Sequence, residues 1–166
     1  MEKQKTDTLE LRLFRENITI EYDPDDEEDE ADEKDSEEQY LSVAYYINGI
    51  SLLDMIREIE TPFFEKEGCP DLIASYMHHT YRNVKRMFTD ALTPGSMKDD
   101  EDVELFCCRD CGDSGCWSVC CKLRKEGNYI IMKNFYHNWR DLSYPFMFRF
   151  TKENFYAELK KLEDPK

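Results

Sequence analysis

Near the start of the chain apolar and polar residues alternate: Leu9, Leu11 and Leu13 face one way, Glu10 and Arg12 the other. Ile18, Ile20 and Tyr22 resume this period of two after Arg15-Glu16-Asn17, which predicts an N-terminal hairpin with one buried face. Tyr40 to Ile47 is rich in aromatic and branched side chains and reads as a further strand, ended by an Asn48-Gly49 turn. The period then changes. Ser51 stands at a helix cap, and Leu52, Leu53, Ile56 and Ile59 recur at helical spacing until Thr61-Pro62, which predicts a short helix stopped at the proline.

Tyr76 to Leu92 predicts a second helix, with Tyr81, Val84, Phe88 and Leu92 as its stripe and Thr93-Pro94-Gly95 beyond its end. Met97 to Asp102 is a polar linker. Strands follow at Val103 to Cys108 and at Cys116 to Leu123, where Trp117, Val119, Cys121 and Leu123 share a face. Glu126-Gly127-Asn128 turns the chain into Tyr129 to Tyr136, and Phe146, Phe148 and Phe150 alternate after Pro145. Thr151 caps a terminal helix that buries Phe155, Leu159 and Leu162. Four sequential strands closed by a helix, without internal repeat, predict an α+β fold. It is an antiparallel β meander with an N-terminal hairpin and helices packed on one face, a single domain over residues 1–166.

Charge changes this picture in one place. The net charge is −15, and residues 23–38 hold twelve Asp or Glu against one Lys, so eleven of those charges sit in one segment. That segment has no periodicity, which predicts a disordered acidic loop. It has no glycine where an EF-hand turn needs one, which argues against a calcium loop. Asp25, Asp26, Glu27, Glu28 and Asp29 are candidates for contact with a basic protein. Nucleic acid is a poor partner, because Arg82, Lys85 and Arg86 are the nearest approach to a basic patch. No apolar run nears the roughly 20 residues of a membrane span, and the first residues lack a signal peptide's apolar stretch. A cytoplasmic protein with reduced thiols is expected.

Six of the seven cysteines fall within residues 107–121. Cys108 and Cys111 have the two-residue spacing of a zinc knuckle, but Cys116 and Cys120 would lie roughly 13 Å apart on a strand, too far to share one ion. A mixed zinc site of Cys108, Cys111, Cys116 and His137 is the better metal candidate. Cys111 and Cys116 also flank a glycine-containing turn that could close to the roughly 4.4–6.8 Å of a disulfide. Asp110 and Asp113 would raise their thiol pKa values and oppose redox reactivity. Cys107, Cys120 and Cys121 read as small strand residues. His78 and His79, adjacent on the predicted helix, favour a structural or surface role. His137-Asn138-Trp139-Arg140-Asp141 follows a strand, and Trp139 with Arg140 is an aromatic-plus-cation pair of the kind enriched at protein contacts. Trp139 sealing the edge of the core is the alternative.

Asp110-Cys111-Gly112-Asp113-Ser114-Gly115-Cys116-Trp117 resembles the Asp-Cys-Gly-x-x-Gly-Cys-Trp motif of a family of small bacterial proteins without established chemistry. The resemblance covers roughly the last 65 residues and, more weakly, the Leu52-Leu53 helix. It implies a bacterial source and a strand, motif, strand, aromatic-rich loop (Phe135 to Tyr144), Phe-rich strand and terminal helix in that order. Members usually carry only the equivalents of Cys111 and Cys116, which weakens a four-cysteine zinc site. No catalytic set is legible: there is no phosphate-cradling glycine loop, Gly-x-Ser-x-Gly or His-Glu-x-x-His. The expected function is non-enzymatic protein binding, of immunity or inhibitor type, masking a basic partner. The alternative is a zinc-binding or thiol-redox protein centred on residues 107–121.

Overall fold

Residues 5–15, 41–93, 101–109 and 117–163 are described by the structure, a computed structural model. Strand β1 (Leu9–Arg15) pairs antiparallel with β2 (Leu41–Ile47), Leu9 opposite Ile47 and Arg15 opposite Leu41. The alternation has its expected consequence: Leu9 and Leu11 are buried, while Arg12 lies outside, 3.7 Å over the Tyr46 ring. Residues 18–22 and the acidic loop at 23–38 lie outside the described residues. Asn48 and Gly49 adopt positive φ, 54° and 82°, and turn β2 into β3 (Ile50–Ser51). Two successive left-handed residues match the twist of a tight hairpin.

The Ser51 hydroxyl accepts the Asp54 N–H and caps α1 (Leu52–Lys66). The predicted stop at Thr61-Pro62 is corrected, because the helix runs one turn further with Pro62 inside it. Pro62 lies on the exposed side of the helix, and continuing the helix buries Phe64. The inward stripe is Leu52, Ile56, Glu60 and Phe64, each four residues from the last. A carboxylate therefore occupies a core position.

A short 3-10 turn (Pro70–Leu72) leads to β4 (Tyr76–His78), and Thr80 caps α2 (Tyr81–Leu92). The helix predicted from Tyr76 thus starts five residues later, and His78 and His79 belong to a strand and its exit. His78 packs edge-on against Phe14 and Phe106, and His79 Nε2 stands 3.2 Å from Glu104. The α2 stripe is the expected one, with Tyr81, Val84, Phe88 and Leu92 all buried. β5 (Glu101–Cys108), β6 (Val119–Glu126) and β7 (Tyr129–His137) form the meander, followed by β8 (Ser143–Tyr144), β9 (Phe148–Thr151) and α3 (Lys152–Lys160). Two boundaries move: Glu101 and Asp102 are strand rather than linker, and β6 begins at Val119 rather than Cys116. Phe146 falls between β8 and β9 and stacks on Tyr144 and Phe148.

The larger sheet runs β4-β5-β6-β7-β8, with β9 also on β7. The smaller sheet, β1-β2-β3, is tied to it at both margins. Val43 N–H donates to the His79 carbonyl at 3.0 Å, and Asp7 N–H donates to the Arg149 carbonyl at 2.7 Å. Leu52 and Ile56 of α1, Val84 and Phe88 of α2 and Phe155 of α3 enter one cluster with the inward residues of both sheets. The fold is α+β.

Candidate functional site

One irregularity in β7 positions the histidine named from the sequence. Cys120 lies opposite Tyr136, but Lys122 lies opposite Lys133, so β7 carries an extra residue between them. Asn134 sits in that bulge with φ 53°. A bulge inverts the alternation beyond it. Ile130 and Met132 point inward before it, and Phe135 and His137 point inward after it. Without the bulge His137 would face out. With it, His137 ends the strand 3% exposed.

The buried imidazole organises the next four residues. Its Nδ1 accepts the backbone N–H of Trp139 at 3.0 Å and of Arg140 at 3.1 Å. His137 N–H donates to the Leu142 carbonyl at 2.9 Å and closes the turn. Asn138 docks the turn on the strand beside it, its N–H on the Ser118 carbonyl and its Oδ1 on the Ser118 N–H at 2.8 Å. Every backbone donor of residues 137–140 therefore has an acceptor, and the turn is held from beneath.

Charge and ring contacts complete the site. Burial, then the Arg140 charge, pushes the His137 pKa down to about 4, so the ring is neutral at pH 7. Since Nδ1 accepts two N–H groups, the single proton of the neutral ring sits on Nε2. Among the described residues Nε2 has no hydrogen-bond partner, and the ring meets Trp117 at 4.1 Å in a T-shaped contact. The Arg140 guanidinium lies 5.4 Å over Trp117 and 3.7 Å from the Glu67 carboxylate, at the end of α1. Trp139 itself is 64% exposed. The core-sealing alternative for Trp139 is therefore corrected: Trp117, packed on Phe64 and His137, occupies that place.

Beneath this turn lies the polar group that the sequence reading missed. Glu60, fully buried, accepts the Ala74 N–H at 2.8 Å on Oε1 and the phenols of Tyr76 and Tyr144 on Oε2. Ala74 holds a positive φ of 50°, a conformation that costs a side-chain-bearing residue roughly 1–2 kcal/mol. The bond to Glu60 helps hold it there. Burial raises the Glu60 pKa, opposed by its three hydrogen bonds, and burial also raises both phenols so that they remain donors. Tyr76 joins the two groups, because its ring lies 6.2 Å from that of His137. The usable signal was Glu60 standing at stripe spacing between Ile56 and Phe64.

Of the proposed metal ligands, Cys108 and His137 are placed and Cys111 and Cys116 lie outside the described residues. Cys108 is buried at the end of β5, two strands from β7. A histidine ligating through Nε2 normally carries its proton on Nδ1 and donates it onward. His137 has the reverse arrangement, which makes Nε2 a donor rather than a metal-binding lone pair. Among the described residues no three His, Cys, Asp or Glu side chains gather as a metal would require. Burial raises the Cys120 thiol and holds Cys121 well above the usual range, so both remain thiols rather than reactive thiolates. Asp25, Asp26, Glu27, Glu28 and Asp29 also lie outside the described residues. No helix among the described residues is long and apolar enough to cross a membrane. Compared with protein families, curated proteins and solved structures, the chain matches none.

Proposed function

We propose that this chain is a non-enzymatic protein-binding domain of the bacterial cytosol that masks a basic partner, in the manner of an immunity or inhibitor protein. The observation that carries this reading is the turn at residues 138–141. It presents a largely exposed Trp139 on a base whose own hydrogen bonds are already made. Tryptophan and arginine dominate the energetics of protein interfaces. A contact residue held in its bound shape also loses less conformational freedom on association. The acidic residues at 23–38 supply the charge, which would speed encounter with a basic surface at low salt. The thiol alternative draws no support from Cys107, Cys120 and Cys121, which pack in strands.

The test is affinity capture from host lysate with three full chains: wild type, Trp139→Ala, and one with Asp25, Asp26, Glu27, Glu28 and Asp29 changed to their amides. A Lys- and Arg-rich protein retained by the wild type and depleted from both variants supports the reading. Retention should weaken with rising salt. Captured proteins that are acidic, or that bind all three chains equally, would sink it.

A further inference from the structure

We infer that the cavity between the last turn of α2, the end of β6 and α3 binds a small organic anion, a carboxylate on an apolar body. This goes beyond the reading of a basic protein partner and does not depend on it. The cavity holds about 460 Å³, within the roughly 300–1,000 Å³ of small-molecule sites. Helical spacing builds two of its walls. Thr89, Leu92 and the cap Thr93 share one face of α2, and Tyr156, Leu159 and Lys160 share one face of α3. Leu92 and Leu159 are buried and Tyr156 is 43% exposed, so these three supply an apolar and aromatic lining. The third wall is Lys125. Val119, Cys121 and Leu123 form the inward row of β6, all buried, and Lys125 is the next residue in that row. Its register partner is Ile130, wholly buried in β7. The strand thus sends an ammonium group to the side on which the helices pack.

Charge selects the guest. Lys125 and Lys160 reach one cavity from different elements, and among the described residues neither ammonium group has an ion pair or hydrogen bond. Lys122 and Lys161, by contrast, are paired with Asp102 and Glu158. Asp and Glu number 37 against 22 Lys and Arg, so the two cavity lysines do not stand alone for want of carboxylates in the chain. Glu163 also lines the cavity, which leaves its side chains with one net positive charge. The Thr93 hydroxyl is spent on the Thr89 carbonyl at 2.6 Å, whereas the Tyr156 and Thr89 hydroxyls remain as donors. A carboxylate accepts from ammonium and hydroxyl groups while its body covers Leu92, Leu159 and the Tyr156 ring. A neutral apolar guest would leave the two lysines unanswered, and a bare anion would leave the apolar lining in water.

The probe is naphthoate, compared with naphthylmethanol, which keeps the body without the charge, and with acetate, which keeps the charge without the body. Binding to the full chain is followed by calorimetry and by the NMR methyl resonances of Leu92 and Leu159. Naphthoate should bind saturably with a Kd below about 1 mM and move those resonances. Each control should bind at least about 5-fold more weakly. Lys125→Gln and Lys160→Gln should each weaken naphthoate binding about 3–10-fold, and Lys160→Arg should retain it. Lys160 is exposed, so its variants should keep the wild-type melting curve and decide the matter even where Lys125→Gln unfolds. A Kd for naphthoate above about 1 mM would overturn the inference. So would equal binding of naphthylmethanol, unchanged affinity in Lys160→Gln, or still methyl resonances at Leu92 and Leu159 while naphthoate binds.

Discussion

Glu60 draws its hydrogen bonds from residues 14, 16 and 84 positions away along the chain, His137 from residues two and three positions away. Both side chains are buried, both titrate, and Tyr76 touches both. Their partners assign them different work. The Glu60 carboxylate joins α1, β8 and the stretch from Ala74 to Tyr76, three segments well separated along the chain. The His137 ring shapes one turn that already belongs to its own strand. A buried acceptor with distant donors is an element of global stability, whereas one with local donors mainly fixes a surface.

The sharpest way to break this contrast is at Glu60. Glu60→Leu leaves three buried donors without an acceptor and should cost about 3–5 kcal/mol in urea unfolding. Glu60→Gln should cost less but not little. An amide offers an acceptor on one side only, so either the phenols or the Ala74 N–H meet an NH₂ group. A loss below about 1 kcal/mol for Glu60→Leu would show that the corner carries no special weight. The pH dependence has a defined sign. With its pKa raised by burial, Glu60 holds a proton more tightly folded than unfolded, so its contribution falls as pH rises above about 4.3. Glu60→Gln should remove that decline.

His137 acts oppositely in an overlapping window. Its folded pKa of about 4 lies below the unfolded value of about 6.5. Between these the unfolded chain binds a proton that the folded chain refuses, so stability falls as pH drops through that range. In the wild type the two slopes offset each other. His137→Phe should remove the acid-side loss and expose the Glu60 decline, while Glu60→Gln should expose the His137 loss alone. His137→Phe also leaves the Trp139 and Arg140 N–H groups without their acceptor, at about 1–3 kcal/mol. His137→Asn, whose Oδ1 can stand near the Nδ1 position, should retain slow exchange of those two amides, and His137→Phe should lose it. Equal amide protection in both variants would mean that the ring does not shape the turn.

The two regions were not equally legible. Hydrophobic periodicity was enough for β1, the stripe of α2 and the Phe155–Leu159 face of α3, because each repeats one period, and aromatic and branched residues were enough for β2. It failed where a local rule yielded to packing. Pro62 signals a stop, yet α1 continues because its proline faces water and Phe64 needs the core. Tyr76 and His78 fit a helical window, but β5 offers them a ladder, and strand pairing prevailed. Glu60 was hidden because a charged residue breaks an apolar stripe, and its partners sit in segments whose proximity no period encodes. His137 and Trp139 were visible as residue types in a loop. Their geometry was not, because it depends on a one-residue bulge at Asn134 that reverses which side of β7 faces the core.

The smallest effect on stability is expected at Trp139, and it completes the contrast. Trp139→Ala removes a side chain that is mostly in water, and the turn beneath it is held by backbone N–H groups and by Asn138, which the change leaves in place. The unfolding free energy should therefore move by no more than about 0.5 kcal/mol, with the Trp139→Ala and wild-type pH profiles superimposable. Residue 139 should still show a slowly exchanging amide, since His137 Nδ1 accepts that N–H whatever the side chain is. A loss above about 1 kcal/mol would show that the indole is a packing residue after all, and would move Trp139 from the surface being presented to the support beneath it.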